Sequence, residues 1–188
     1  MFVKICGITN PDDALAAVEA GARALGFVFV ASSPRCVTPE QIEPWIGQIP
    51  PEVWKVGVFE NESPESIESI GRRLGLDVAQ LHGSETPERH PRGLRIWKAF
   101  RVAEAQANVP DYPAAEAILI DGIAYDWTRT AHFTRPLILA GGLNETNVGA
   151  RIALSRPWAV DVSSGIESSP GRKNHTRMKK FIQTALLP

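Results

Sequence analysis

The chain has 188 residues, of which 44% are hydrophobic and 22% are charged, and its formal net charge is −1. This length and composition predict one soluble domain with a substantial core. The near-neutral balance gives no broad basic surface, so we expect no nucleic-acid partner. A basic cluster near the carboxyl terminus is interpreted as the solvated end of the last helix; it comprises Arg172, Lys173, Arg177, Lys179 and Lys180.

The sequence also argues against a membrane partner and a metal site. It has no apolar run near the roughly 20 residues that span a bilayer, and its first residues follow a strand pattern instead of a signal peptide. We therefore expect a cytoplasmic protein. The two cysteines, Cys6 and Cys36, are too few for a disulfide scaffold and lack the paired spacing of a zinc site. Reduced thiols are expected.

Eight short runs of β-branched and aliphatic residues recur about every 22 residues, which leaves room for a strand, a helix and two turns in each repeat. The predicted strands are Val3–Cys6, Ala24–Phe29, Trp54–Phe59, Val78–Leu81, Arg95–Phe100, Ala117–Ile120, Leu137–Ala140 and Ala159–Val162. Nearly continuous apolar runs indicate burial on both faces, which is typical of parallel sheets covered by helices.

Helix signals lie between the strands. Asn10 is a candidate N-cap before Pro11, and Gly21 follows the last helical residue. Similar signals predict further helices over Pro39–Ile46, Pro64–Leu74, Asn144–Leu154 and His175–Leu186. Eight strands, with no early G-x-G-x-x-G, favour a compact (β/α)8 TIM barrel over an open doubly wound sheet. We expect a single barrel domain over residues 1–188.

Active sites of such barrels lie at the carboxyl ends of the strands. That rule selects the following candidates: Cys6, Ser32 to Arg35, Gln80, His82, Asp121, Gly141, Gly142 and Asp161 to Gly165. Taken alone, Cys6 is more often a small core residue, and Asp121 before a glycine is equally a turn former.

Two glycine-rich strand ends predict a phosphate site. Gly141, Gly142, Ser163, Ser164 and Gly165 follow the seventh and eighth strands, where barrels commonly bind phosphate. Small residues let backbone N–H groups approach an anion. The alternative is that these residues form two tight turns.

Several motifs occur in a specific order along nearly the whole chain. They are K-I-C-G-I-T from Lys4, G-F-V-F-x-x-S-P-R from Gly26, V-G-V-F from Val56, Q-L-H-G from Gln80, Y-D-W from Tyr125, A-G-G-L-N from Ala140 and V-D-V-S-S-G-I-E from Val160. With them, the chain resembles the phosphoribosylanthranilate isomerase family of tryptophan biosynthesis.

The resemblance implies an Amadori rearrangement of N-(5-phosphoribosyl)anthranilate, with no metal or organic cofactor. It also implies that Cys6 is the general base and Asp121 the general acid. At pH 7 an ordinary thiol costs about 2 kcal/mol to ionise, and an ordinary Asp costs about 4 kcal/mol to protonate. We expect a dry pocket and the substrate phosphate to raise the pKa of Asp121, and backbone donors to stabilise the Cys6 thiolate.

Two further residues acquire binding roles from the resemblance or from their position. Arg35 matches the family arginine that meets the anthranilate carboxylate; the alternative is a surface arginine after Pro34. Asp161 either binds a substrate amine or hydroxyl group, or orients its loop. Gln80 and His82 are interpreted as strand-end residues with local hydrogen bonds and receive no proton-transfer role.

The chain departs from the family pattern after the sixth strand. Only G-I-A separates Asp121 from Tyr125, where the family has a longer glycine-rich loop. A natural minimal isomerase, a deleted loop and altered activity all fit this shortening. Smaller departures are Cys36 for an aromatic residue, Glu145 for a proline and Asn174 for an acidic residue.

Other function classes remain open at this point. One is a different sugar-phosphate isomerase or epimerase barrel; those use carboxylate pairs or metals, and this chain lacks a clustered His/Asp ligand set. Another is a non-catalytic barrel that binds a phosphorylated metabolite. The sequence carries no signal for an oligomeric state.

Overall fold

Eight parallel strands close into a barrel in the computed structural model, which describes residues 1–103, 112–122, 124–126 and 134–187. Each strand pairs with the next one along the chain, and the first also pairs with the eighth. The strands are β1 Phe2–Cys6, β2 Ala24–Val28, β3 Trp54–Phe59, β4 Val78–Leu81, β5 Arg95–Arg101, β6 Ala115–Asp121, β7 Leu137–Ala140 and β8 Ala159–Val162. The predicted TIM barrel is confirmed.

Five α-helices in the described residues pack around the strands. They are α1 Pro11–Ala20, α2 Pro39–Ile46, α3 Pro64–Leu74, α4 Val148–Ser155 and α5 His175–Leu186. The Asn10 side chain caps α1 by accepting from the Asp13 N–H at 2.9 Å, and Gly21 ends that helix in the left-handed conformation. Local capping signals therefore place the start and the end of this helix.

The fourth helix begins later than predicted. Asn144 was expected to open it, but the first helical residue is Val148. The Asn144 Oδ1 atom accepts from the N–H groups of Thr146, at 2.9 Å, and Asn147, at 3.1 Å. This side-chain turn competes with helical hydrogen bonding, so the helix starts after it.

Strand alternation divides the core into two parts. Val3 and Ile5 of β1 pack outward in the large cluster beneath the helices. The alternate residues of the same strand point into the barrel, because successive strand side chains face opposite sides; these are Phe2, Lys4 and Cys6. Four aromatic rings close the barrel at its amino-terminal end, those of Phe2, Trp54, Trp97 and Trp158.

A short structured segment after β8 was not predicted. It consists of a 3₁₀ turn at Ser164–Ile166 and an antiparallel pair of short strands, β9 Glu167–Ser169 and β10 Arg172–Lys173. Strands of two or three residues are too short for a periodic signal. The hairpin carries Glu167 and Lys173 back toward the mouth of the barrel.

Some sequence-level expectations lie outside the described residues. These are the placements of Ile123, in the shortened segment after Asp121, and of Trp127, in the Y-D-W motif. Among the described residues, no helix is long and apolar enough to cross a membrane.

Candidate active site

The carboxyl ends of the strands surround a cavity of about 480 Å³. All nine residues assigned a catalytic, substrate-binding or phosphate-binding role from the sequence line this one cavity: Cys6, Arg35, Asp121, Gly141, Gly142, Asp161, Ser163, Ser164 and Gly165. They come from five separate segments of the chain. Parallel strands bring these segments together because all their carboxyl ends meet at one end of the barrel.

Cys6 ends β1, and its side chain faces the barrel interior with 8% of its surface exposed. Burial raises the pKa of the Cys6 thiol, because a thiolate loses hydration in this position. The positive charge of Lys4 is the largest influence that lowers this pKa. The backbone donors that the sequence predicted for the thiolate stay a prediction. The structure adds the ammonium group of Lys4 as a cationic neighbour.

Asp121 ends β6, is partly buried and lines the same cavity as Cys6. Burial raises the pKa of its carboxyl group, and the negative charge of Asp161 raises it further. The direction agrees with the sequence expectation, and Asp161 is a cause that the sequence did not suggest. A side chain at Gly141 would collide with the Asp121 carboxylate and with Gly122, so glycine gives Asp121 its space.

Asp161 forms a buried ion pair with Lys4. Lys4 Nζ donates to Asp161 Oδ1 at 2.9 Å, and the lysine has no solvent-exposed surface. The two residues are direct neighbours across the β1–β8 pairing. Sequence reasoning missed this role of Lys4, although Lys4 stands two residues before Cys6 in the same strand and so shares its face.

Arg35 is bound by a carboxylate that the sequence analysis also missed. Its Nε and Nη2 atoms donate to the two oxygens of Glu167 at 2.8 and 2.6 Å. Lys173 Nζ contacts the same carboxylate at 2.8 Å. These two cations lower the pKa of Glu167 against the opposing effect of burial. Nη1 of Arg35 makes no hydrogen bond within the described part of the chain and can meet a ligand.

This arrangement corrects the interpretation of the basic cluster. Lys173 is buried and Arg177 is half-buried, so neither belongs to a solvated helix end. Arg177 donates to the backbone carbonyls of Gly165 and Glu167 and, at 3.0 Å, to Glu145 Oε1. The prediction of a solvated cluster was wrong because the β9–β10 hairpin turns Lys173 inward.

The predicted phosphate side of the cavity joins two loops. Gly141 and Gly142 have φ values of 77° and 70°, in the left-handed region that favours glycine. In the second loop, a side chain at Gly165 would collide with the carbonyl of Leu143. Arg177 links this loop to Glu145, which follows the first loop. The two loops are therefore packed directly against each other.

Gln80 and His82 line the opposite wall of the cavity and contact each other through their Nε2 atoms. Burial lowers the pKa of His82 to about 4, with Lys4 and Lys98 contributing in the same direction. The imidazole is therefore neutral near pH 7. Gln80 is fully buried, and its Oε1 has no hydrogen-bond partner among the described residues.

The family model for N-(5'-phosphoribosyl)anthranilate (PRA) isomerase matches residues 3–184. This chain belongs to that family. The PRA isomerase of Solibacter usitatus is 43% identical over 98% of this chain and 97% of its own length. That of Trichlorobacter lovleyi is 46% identical over 97% of each chain.

Solved PRA isomerases have the same fold. The crystal structure of the Thermotoga maritima enzyme superimposes with a TM-score of 0.88 at 40% identity, over 98% of each chain. A second PRA isomerase crystal structure, at 42% identity and with the same TM-score and coverage, contains reduced 1-(o-carboxyphenylamino)-1-deoxyribulose 5-phosphate. The resemblance stated from the motifs is confirmed.

The relatives are also longer than this chain within the aligned region. The alignment extends over 196 positions with the Solibacter relative and 200 with the Trichlorobacter relative, whereas this chain has 188 residues. Both relatives therefore contain residues that have no counterpart here.

Proposed function

We propose that this chain catalyses the Amadori rearrangement of N-(5-phosphoribosyl)anthranilate to 1-(2-carboxyphenylamino)-1-deoxyribulose 5-phosphate, with Cys6 as general base and Asp121 as general acid. The observation that carries the proposal is the meeting of Cys6, Asp121 and both glycine-rich loops in one cavity. Family membership supplies the activity, that of an aldose–ketose isomerase in tryptophan biosynthesis.

The reaction begins with opening of the ribose ring. Protonated Asp121 donates its proton to the ring oxygen as the bond between that oxygen and C1 breaks, and the anilino nitrogen forms an iminium group with C1. The raised pKa of Asp121 supports this role, because it lowers the cost of keeping the carboxyl group protonated.

Cys6 acts in the second step. Its thiolate removes the proton from C2, so a carbon–hydrogen bond breaks and a sulfur–hydrogen bond forms. The electron pair left on C2 moves into the C1–C2 bond and neutralises the iminium group. The resulting enolamine then tautomerises to the aminoketose, and every step is a proton transfer that Cys6, Asp121 or water can perform.

Substrate binding requires two anion contacts at separated points. The solved relative holds a reduced product analogue that carries a carboxyphenyl group and a phosphate. In this chain, we assign the phosphate to the loops after β7 and β8, at Gly141, Gly142, Ser163, Ser164 and Gly165. We assign the carboxylate to Arg35, whose Nη1 side is not engaged by Glu167 and can meet a planar anion. We assign Asp161 to the ribose hydroxyl groups, because it lines the same cavity as both anion contacts.

Turnover of N-(5-phosphoribosyl)anthranilate by the purified chain, followed as the loss of anthranilate-type fluorescence, tests the proposal. Cys6→Ser and Asp121→Asn are each expected to lower kcat by about 10²-fold or more. Cys36→Ser is the matched control and should keep parental turnover, because Cys36 is exposed and does not line the cavity. Parental kcat in either catalytic variant would refute the role of that residue, and an inactive parent would refute the activity.

A further inference from the structure

Lys4 is an unusual residue for the interior of a barrel. It lies in β1 with its side chain among the inward-facing residues, and none of its surface is exposed to solvent. An ammonium group is costly to bury unless an opposite charge compensates it. Asp161 provides that charge at 2.9 Å, which explains how the fold tolerates Lys4. It does not explain what the chain gains from placing a charge pair there.

The position of Gly26 shows what else the lysine faces. Gly26 lies beside Cys6 in the β1–β2 pairing. A methyl group placed on Gly26 would lie 2.8 Å from Cys6 Sγ and 3.1 Å from Lys4 Nζ. The sulfur and the nitrogen are therefore no farther apart than the sum of these distances. That limit falls within the roughly 4–6 Å over which an opposite charge favours an ionised group.

We propose that Lys4 is a positioning residue for proton transfer at Cys6: its ammonium group, fixed by Asp161, holds positive charge next to Sγ and stabilises the thiolate that receives the substrate proton. The functional part of this inference rests on the isomerase activity proposed above. Lys4 keeps its own proton throughout. The C2 proton moves to Sγ, and the charge of Lys4 changes only how often that sulfur is ready to accept it.

Other charged groups also face Cys6. Asp161 on β8 raises the pKa of the thiol, whereas Lys173 on β10 lowers it less than Lys4 does. Arg35, in the loop after β2, attracts the thiolate as well. Both of these cations are bound to Glu167, which offsets much of their charge. Lys4 is thus the principal cationic support of the thiolate.

A purely structural role for Lys4 makes a different prediction. If the lysine serves only to neutralise Asp161, removing both charges together should leave the ionisation of Cys6 unchanged. If Lys4 also supports the thiolate, its removal raises the Cys6 pKa even when Asp161 is already neutral. The test therefore compares two variants that differ only at position 4.

The experiment uses a Cys36→Ser background, in which Cys6 is the one remaining cysteine of the chain. The rate of Cys6 alkylation by iodoacetamide is measured against pH by mass spectrometry, without substrate. We expect Asp161→Asn to lower the titration midpoint below that of the background, because the thiolate loses a nearby negative charge and Lys4 loses its partner. We expect Lys4→Met combined with Asp161→Asn to raise the midpoint by about 1 pH unit or more relative to Asp161→Asn alone.

Equal midpoints in these two variants would overturn the proposal. Circular dichroism establishes that each variant is folded, and the double variant avoids an unpaired buried charge. If the double variant does not fold, Lys4→Gln combined with Asp161→Asn replaces it in the comparison with Asp161→Asn: an unshifted midpoint overturns the proposal and a raised one supports it. Because alkylation needs no substrate, these results stand whether or not the chain turns over N-(5-phosphoribosyl)anthranilate, which is measured separately.

Discussion

Glu167 shows how a single residue can prepare Arg35 for its proposed binding role. It binds Arg35 through both carboxylate oxygens and also contacts Lys173, and only 4% of its side-chain surface is exposed. A free arginine side chain would lose considerable rotamer entropy on meeting a ligand carboxylate. The contact with Glu167 removes most of that freedom before the substrate arrives, which leaves Arg35 preorganised.

Glu167→Gln is therefore expected to raise KM by about tenfold, equivalent to about 1.4 kcal/mol, with a smaller effect on kcat. The amide retains some hydrogen bonds but loses the charge that holds the guanidinium fork. Steady-state kinetics over a range of substrate concentrations measures the effect. In an Arg35→Ala background the same substitution should change KM little. An equal increase in both backgrounds would show that Glu167 does not act through Arg35.

At the scale of the element, helix α5 fastens the loop that follows β8. Arg177, in its first turn, reaches the carbonyls of Gly165 and Glu167 and the carboxylate of Glu145. The Arg177 contact lowers the pKa of Glu145. Asn174 caps the same helix by accepting from the Arg177 N–H at 3.0 Å. The departures Glu145 and Asn174 thus both support the proposed phosphate side.

Arg177→Ala should loosen that loop and raise KM by roughly tenfold, because hydrogen bonds to a charged group are worth about 1.5–3 kcal/mol each and only part of this reaches the ligand. Competitive inhibition by inorganic phosphate should weaken in parallel, which locates the loss at the phosphate. Lys179→Ala is the matched control, since Lys179 is an exposed cation of the same helix. A comparable loss in the control would indicate a general effect of positive charge.

At the scale of the whole molecule, the two ends of the barrel have separate tasks. The carboxyl-terminal end holds the cavity, and the amino-terminal end is closed by Phe2, Trp54, Trp97 and Trp158. Trp97 is 1% exposed and lies 6.0 Å from Trp54 and 5.9 Å from Trp158, measured between ring centroids. Its ring fills the space that a barrel of this size must pack with side chains.

Trp97→Ala is expected to lower the free energy of unfolding by about 3–5 kcal/mol, since it leaves a cavity in the core. Trp158→Ala should cost less, because Trp158 is already 37% exposed. Urea denaturation followed by circular dichroism gives both values. The kcat of folded protein should change little in either variant, since these aromatic rings lie at the amino-terminal end of the barrel and the cavity lies at the other end. A large loss of kcat at full foldedness would contradict this separation.

Much of the fold was predictable because its signals are local. The predicted bounds of β3, β4, β7 and β8 and of helices α2, α3 and α5 match the structure. Apolar runs, prolines at first helical positions and capping residues all act within a few residues of where they stand. The strand-end rule then selected a set of candidates that includes the nine assigned residues of the cavity, because it needs only the end of each strand and not the distance between strands.

The tertiary structure decided how charges are shared across the site. The partners in the pairs Lys4–Asp161 and Arg35–Glu167 are separated by 157 and 132 positions in sequence. Their contacts exist because barrel closure sets β1 beside β8 and because the short hairpin turns back over the mouth. A linear pattern records which side chains are charged. Which charges lose their water, and which neighbour replaces it, depends on closure of the barrel, and this determines the ionisation of Cys6 and Asp121.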